Sequence, residues 1–473
     1  MAFFHGATTR QEKSGATIAQ SIPSGVVALI GIAPTGPLNI MTEVSNERDA
    51  AQFGGQVPGF SIAQALYTHF REKGGKVIVI NVFDPATHVT NVAAETVTLV
   101  AGKGKSAFPY VGVMTVKKSD DTVTYVKGTD YSLDEFGNIA SLNFTTIAAT
   151  AQLKLTYNKP NFAGITAAVI AGTVDGTTGV RTGMKLLENA YNQFGFEPKI
   201  IIAPGFSHLT ALTPDLLIWA KRLKGVAIAD APPSTTVVAA KAGRTPSGAI
   251  NFNVADPFLI FVYPGQKAYD PVTNATVVKP LSPAYAAAIA RTDAEEGPWR
   301  SPSNIPSYTT LGLEVELSGS PFNDNTDAND LNALGVVTMI NAGTSGFRFW
   351  GNRNSSYPSN TTPDNFIPVH REAWTLSRSI QEASLAWVDA PGNLRTIDEI
   401  REMANGLIRQ QIGAGGLLPD SECLFREEDN PSIQLQAGHY VFYLRLMVPL
   451  PMEHIEFIFT FDVSLLKALT ASA

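Results

Sequence analysis

The sequence has very little cysteine, little charge and no long apolar run. Cys423 is the one cysteine among 473 residues, which excludes an internal disulfide framework and a multi-cysteine metal site and is typical of a reducing compartment. No apolar run approaches the roughly 18 residues of a membrane-spanning helix, and the N-terminus lacks the pattern of a signal peptide. We therefore expect no membrane insertion and no export, and we expect Cys423 to be a core thiol.

Positive charge is also scarce. The formal net charge is −7, and Lys117-Lys118 is typical of the short basic pieces present, so a surface that follows nucleic-acid phosphates is not expected. Only 16% of the residues are charged, against a usual value of about 25%. Much of the surface must then be uncharged and polar. This composition favours a protein covered by neighbours in an assembly, although a β-rich monomer has the same composition.

Motifs for catalysis or ligand binding are incomplete. Gly343-Thr344-Ser345 resembles the nucleophile turn of subtilisin-type hydrolases, but the seven histidines are scattered and Asp175 is a poor orienting acid. The stretch 102–106 lacks the first glycine of a phosphate loop, and the Asp/Asn run 323–330 lacks the glycine and the closing glutamate of a calcium loop. We predict no catalytic residue, cofactor or metal. A subtilisin-fold hydrolase that uses Ser345 is the alternative.

Hydrophobic periodicity predicts an α/β chain with an all-β insert. Short apolar runs of the buried-strand kind alternate with amphipathic helices, except in a region of short alternating strands and turn residues. The predicted parts are an N-terminal arm (1–25), the first part of an α/β core (26–88), a small inserted β-sandwich-like domain (89–160), an α/β middle domain (161–353), an α+β C-terminal domain (354–454) and a C-terminal strand arm (455–473).

The C-terminal domain is predicted to contain two helices and a long strand. The helices cover about 372–388 and 397–411, the second beginning with Thr396 and Glu399 in capping-box spacing. The strand covers 438–448, and one of its faces is apolar: Tyr440, Phe442, Leu444, Leu446 and Val448.

The last part of the chain alternates strictly between apolar and mostly polar residues. The alternation predicts a strand with one buried face, made of Ile455, Phe457, Phe459, Phe461 and Val463. Burying that face is worth at most about 7–15 kcal/mol. Pro449 and Pro451 disfavour a tight hairpin with the preceding strand. The partner strand therefore lies either earlier in this chain or in another molecule.

Three stretches resemble the tail sheath proteins of contractile-tailed bacteriophages and contractile bacteriocins. They are Phe4-His5-Gly6, the more specific Gly346-Phe347-Arg348-Phe349-Trp350-Gly351-Asn352-Arg353 after the strand start at Leu334-Gly335-Val336, and the order of elements from Thr396 to Ala473. Weaker agreement extends over nearly the full length. Ala7 departs from the pattern, because a larger aliphatic residue is expected there.

The resemblance implies a non-enzymatic subunit that polymerises helically around a tail tube and contracts to drive the tube through the host envelope. It implies a virion protein assembled in the bacterial cytoplasm, with the tube, baseplate and tail terminator proteins as partners. It also implies a subtilisin-like middle domain without a triad, and terminal arms that add strands to the C-terminal sheets of neighbours. The arms would be Ile455 to Val463 and the weakly alternating Gly15, Ala16, Thr17, Ile18, Ala19, Gln20, Ser21 and Ile22.

Overall fold

The computed structural model describes residues 23–469, so the predicted N-terminal arm residues Gly15 to Ile22 lie outside the described residues. The strands in chain order are β1 (Val27–Gly31), β2 (Met41–Val44), β3 (Val77–Asn81), β4 (Val89–Thr98), β5 (Lys103–Lys105), β6 (Val111–Lys118), β7 (Tyr131–Leu133), β8 (Asn138–Ser141), β9 (Gln152–Pro160), β10 (Ile200–Ile202), β11 (Val226–Asp230), β12 (Leu259–Val262), β13 (Gln266–Asp270), β14 (Ala275–Lys279), β15 (Thr310–Leu313), β16 (Val336–Asn341), β17 (Phe347–Trp350), β18 (Glu422–Leu424) and β19 (Tyr443–Arg445).

Helices connect these strands and form the layers around them. The α-helices are α1 (Glu47–Ala50), α2 (Ile62–Arg71), α3 (Ala167–Ala171), α4 (Ala190–Phe194), α5 (Thr213–Leu223), α6 (Val237–Gly243), α7 (Ser282–Glu295), α8 (Asp327–Asn332), α9 (Ile367–Ser384), α10 (Leu394–Ala414) and α11 (Ser432–Gln436). In the part of the chain that the structure describes, no helix is both long and apolar enough to cross a membrane.

The predicted α/β core is an eight-stranded sheet in the order β17-β16-β12-β11-β10-β1-β3-β2. The six inner strands are parallel, while β2 and β17 run antiparallel at the two edges. β1 lies between β3 and β10, so the segment before the β insert and the segment after it build one sheet. All five residues of β1 are buried, as expected for a strand covered on both faces.

Each face of this sheet has its own apolar core. Ala28 and Ile30 pack on the face covered by α5, which contributes Leu216 and Trp219. Val27 and Leu29 pack on the opposite face, together with residues of α2 and α7. Alternate side chains of this fully apolar strand thus pack into the two separate cores, one on each face of the sheet.

The predicted β insert contains two three-stranded antiparallel sheets, β4-β9-β6 and β5-β8-β7. A separate apolar core fills the space between them, with Val116, Leu153 and Leu155 fully buried. The insert follows β3 and returns the chain to β10, so it interrupts the sequence of the central sheet without interrupting the sheet itself.

The C-terminal part packs α9 and α10 against the two-stranded sheet of β18 and β19, called the C-terminal sheet below. The two helices differ in extent from the predicted ones. α9 begins at Ile367, five residues before the predicted start, and includes Pro368 in its first turn, where a missing amide hydrogen costs nothing. α10 begins at Leu394, and its N-cap is Asn393 rather than Thr396.

Candidate functional site

The C-terminal sheet is smaller than the predicted strand over 438–448 suggests. Its regular ladder covers only Tyr443–Arg445 in β19, paired antiparallel with Glu422–Leu424 in β18. The predicted apolar face is nevertheless oriented toward the core: Val448 is buried, and Phe442, Leu444 and Leu446 are partly buried against it. Tyr440 lies outside the ladder, and its hydroxyl donates to the Gly392 carbonyl at 3.3 Å.

One edge of the C-terminal sheet is covered by a side chain of α10. The Asn405 amide accepts a hydrogen bond from the Cys423 N–H at 2.8 Å and donates to the Cys423 carbonyl at 3.1 Å. This is the pair of bonds that a neighbouring strand would make. Since successive residues of a strand point their main-chain groups to opposite edges, Glu422 and Leu424 must bond to β19.

The side of β19 that faces β18 is also fully bonded beyond the ladder. Val441 exchanges two hydrogen bonds with the Asn430 side chain, at 2.8 and 2.9 Å. The Met447 N–H donates to the Ser421 hydroxyl, and the Met447 carbonyl accepts from the Leu418 N–H. Residues 441, 443, 445 and 447 therefore all direct their main-chain groups toward β18 and its flanks.

The opposite edge of β19 is open. By the same alternation, the main-chain N–H and C=O groups of Phe442, Leu444 and Leu446 point away from β18. Among residues 23–469, no backbone or side-chain group forms a hydrogen bond with them. An unpaired row of this kind is a template for one more strand.

The C-terminal arm (455–473) exposes a row of large apolar side chains. Residues 454–466 are all exposed, with fractions of 88% for Phe457 and 89% for Phe461. Single exposed apolar residues are common, but a continuous run of this kind marks an interaction surface. The five residues of the predicted buried face are all in it: Ile455, Phe457, Phe459, Phe461 and Val463.

Within the isolated chain, residues 455–462 form no strand with an earlier segment, so the strand predicted for the arm stays a prediction that depends on a partner in another molecule. Residues 455–462 have no regular secondary structure, and a 3-10 turn follows at Val463–Leu469. A strand needs a ladder partner, and Pro449 and Pro451 lack the amide hydrogens that a hairpin beside β19 would use. A hairpin completed by the chain's own last strand is therefore not formed.

Ser345 has no catalytic partners in the described residues. It lies in an exposed 3-10 turn, Gly343–Ser345, between β16 and β17. The buried histidines lie on helices: His69 on α2, and His370 on α9 against the Phe258 ring at 4.4 Å. Burial lowers the pKa of both imidazoles to about 4. The hydrolase alternative finds no support in this geometry.

Cys423 is the core thiol that the sequence predicts. It lies in β18 and is buried in the core that the C-terminal sheet shares with α10, and this burial raises the pKa of its thiol to about 11. A protonated, buried thiol is unreactive at neutral pH.

Sequence reasoning missed the side chains that define the open edge. Asn405 and Asn430 belong to no recognisable sequence motif, and nothing in their spacing predicts that each bonds to the backbone of a residue more than ten positions away. Asparagine is suited to this role because its amide offers a donor and an acceptor side by side.

Comparison with known proteins agrees with these features. The family model for the phage tail sheath protein central domain matches residues 179–355. The tail sheath protein of Burkholderia phage BcepMu is 38% identical over 460 residues, which cover 96% of each chain. The major tail sheath protein of Serratia phage KSP20 is 29% identical over 297 residues, covering 62% of this chain and 71% of the relative.

Solved sheath structures have the same fold. The contracted helical sheath of the anti-feeding prophage superposes with a TM-score of 0.60 at 15% identity, covering 98% of this chain and 100% of that one. The contracted sheath complex of the extracellular contractile injection system PVC gives a TM-score of 0.59 at 15% identity, covering 98% and 99%. Because the phage BcepMu relative is similar along nearly the whole of both chains, this chain belongs to the phage tail sheath protein family and is a structural subunit of a contractile tail sheath, not an enzyme.

Proposed function

We propose that the subunit polymerises helically around a tail tube, with its C-terminal arm lying in the C-terminal sheet of a neighbouring subunit. Contraction of this polymer would drive the tube through the host envelope. The tube, baseplate and tail terminator proteins are the proposed partners, and assembly takes place in the cytoplasm of the host bacterium.

One pair of observations carries this proposal: the chain has an exposed apolar arm and a sheet with one open edge. The arm presents five apolar side chains at every second position, and the open edge presents the main-chain groups of Phe442, Leu444 and Leu446. Addition of a strand to such an edge gains ladder hydrogen bonds, and alternate side chains of the added strand enter the core beneath. The arm and the edge are chemically complementary.

The same subunit cannot readily satisfy its own edge, because Pro449 and Pro451 follow directly after the strand region. A donor in one copy and an acceptor in the next form a heterologous contact. Contacts of this type that do not close into a ring produce an open helical array. An array linked by added strands keeps its connections while the bodies of the subunits change their packing, which is what contraction requires.

We further propose that residues 15–22 form a second arm. Since Asn405 covers the outer edge of β18, an arriving strand has only the β19 edge to use. The second arm would therefore pair with the first arm rather than directly with this subunit's own strands. In this arrangement each C-terminal sheet joins three copies of the chain.

The proposed division of the chain follows the four apolar cores. Residues 26–88 and 161–353 form the α/β body, 89–160 the inserted domain and 354–454 the polymerisation domain, between arms at 1–25 and 455–473. The parallel sheet and the Gly343–Ser345 turn are consistent with a body that is related to the subtilisin fold but has lost its triad.

Removal of residues 455–473 tests the proposal. We expect the truncated protein to be folded and soluble, because residues 454–466 form no hydrogen bond with the body, and to form no sheath tubes in electron micrographs. Thermal unfolding of the truncated protein and of the unassembled full-length protein should coincide. Normal tubes from the truncated protein would refute arm exchange.

A further inference from the structure

Glu453, two residues before the C-terminal arm, forms an ion pair with Arg353, the last residue of the motif 346–353. The Arg353 Nε donates to Glu453 Oε1 at 2.8 Å, and Nη2 donates to Oε2 of the same carboxylate. The remaining nitrogen, Nη1, donates to the Asn365 side-chain carbonyl at 2.5 Å. A two-point guanidinium–carboxylate pair fixes direction as well as distance.

Arg353 is itself fixed in place by aromatic rings. Its guanidinium carbon lies 3.6 Å from the centroid of the Phe366 ring and 4.5 Å from that of Tyr357. The arginine side chain is 17% exposed, compared with 39% for Glu453. The cation is therefore held in position by the body, and the carboxylate of Glu453, two residues before the arm, binds to it.

Glu453 is the last point at which the described chain is attached to its body. Residues 454–466 are exposed, and their hydrogen bonds are local: the N–H groups of Ser464 and Leu465 donate to Asp462. The nearest buried residue before Glu453 is Val448. Release of Glu453 would thus lengthen the free segment by five residues, which add up to about 17 Å of reach.

The other end of the described chain is held nearby in the same way. The Ser24 hydroxyl donates to Asp293 at 2.6 Å, and Arg371, which forms a buried ion pair with Asp293, donates to the Ser24 carbonyl at 3.3 Å. Arg371 lies on α9 five residues after Phe366, or roughly 8 Å along a helix axis. Both ends therefore leave the body from the segment 353–371.

We infer that Arg353 is a positioning residue for assembly: it fixes the point and direction from which the C-terminal arm leaves, and so determines which neighbour's sheet the arm reaches. This inference rests on the proposed arm exchange. An arm fixed at Glu453 has a high effective concentration at the C-terminal sheet of one neighbouring subunit. A longer free segment would spread the same arm over a larger volume and over the sheets of other neighbours.

Glu453→Gln and Glu453→Lys test this inference in the full-length protein. The first removes the charge and keeps the shape, and the second places two cations together. We expect unchanged thermal unfolding, because the pair is partly exposed, but a graded loss of helical order in the tubes. For Glu453→Lys we expect about a tenfold rise in the protein concentration needed for tube formation.

The matched control is Glu296→Lys, which breaks the exposed pair between Glu296 and Arg300 beside α7. It should assemble like the wild type. Tubes from Glu453→Lys with wild-type order at the wild-type concentration would overturn the positioning role, even if truncation after residue 454 abolishes tubes. Normal tubes from the truncated protein would instead overturn arm exchange itself, so the two failures are distinguishable.

Discussion

A charge on one face of the C-terminal arm should block assembly, whereas a charge on the other face should not. The proposed change is Phe459→Asp, and its matched control is Ile458→Asp. Both side chains are exposed in the single subunit, at 78% and 88%, so neither change should affect its folding. On strand addition, side chains at every second position turn toward the core, and only the face containing Phe459 becomes buried.

The expected magnitude follows from burial. Phe459→Asp loses the roughly 1.5–3 kcal/mol gained by burying a phenylalanine and adds the cost of desolvating a carboxylate. Together these two losses weaken the binding of each arm to a neighbour's C-terminal sheet by at least about 4 kcal/mol, or about a thousandfold in its equilibrium constant. Ile458→Asp places its charge on the solvent side of the added strand and should cost less than about 1 kcal/mol.

Sedimentation and electron microscopy of the two purified variants measure the outcome, with thermal unfolding as the check on folding. We expect Phe459→Asp to stay as small species under conditions in which Ile458→Asp forms tubes. Equal assembly of both variants would show that the face of the arm containing Phe459 is not buried in a neighbour's sheet. Equal failure of both would show that period-2 burial is the wrong description of the arm.

Two further changes probe the C-terminal part. Asn405→Ala should destabilise the subunit by about 1–3 kcal/mol, because it leaves the buried main-chain groups of Cys423 without partners. Denaturant unfolding measures this loss. An unchanged unfolding midpoint would contradict the role of Asn405 in covering the edge of β18. Burial raises the pKa of Glu372 from 4.5 to about 7, so between these two pH values the folded protein retains a proton that the unfolded chain releases. The stability contribution of Glu372 is thus present below about pH 4.5 and is lost as the pH rises to about 7. At pH 8 the Glu372→Gln variant should therefore be more stable than the wild type by up to about 3 kcal/mol. Equal stability of the two proteins at pH 8 would refute the raised pKa of Glu372.

The central sheet could be predicted from the sequence because its strands are dictated locally. Runs such as Val27–Gly31 and Val77–Asn81 are apolar at every position, which is the pattern of a strand covered on both faces. The order of strands could not be read in the same way. β1 pairs with β10 across the whole insert, and neither the pattern of β1 nor that of β10 identifies its partner.

The C-terminal part was less predictable because side chains compete there for the same backbone groups. Thr396 and Glu399 have capping-box spacing, but the Asn393 side chain accepts from the Thr396 N–H at 3.0 Å and starts α10 earlier. The strand predicted over 438–448 is shortened in part because Asn430 bonds to Val441 in place of a neighbouring strand. The alternation of Ile455 to Val463 indicates a buried face, but a pattern within one chain does not specify a ladder partner.

The position of β1 in the middle of the sheet has a consequence for the order of folding. Val27 pairs with Val77 on one side and with Ile200 on the other, so the sheet remains divided until more than two hundred residues have left the ribosome. The insert, whose pairings all lie within residues 89–160, can form its core during that interval. Its location delays closure of the sheet, and the apolar arm is synthesised after the body that must carry it.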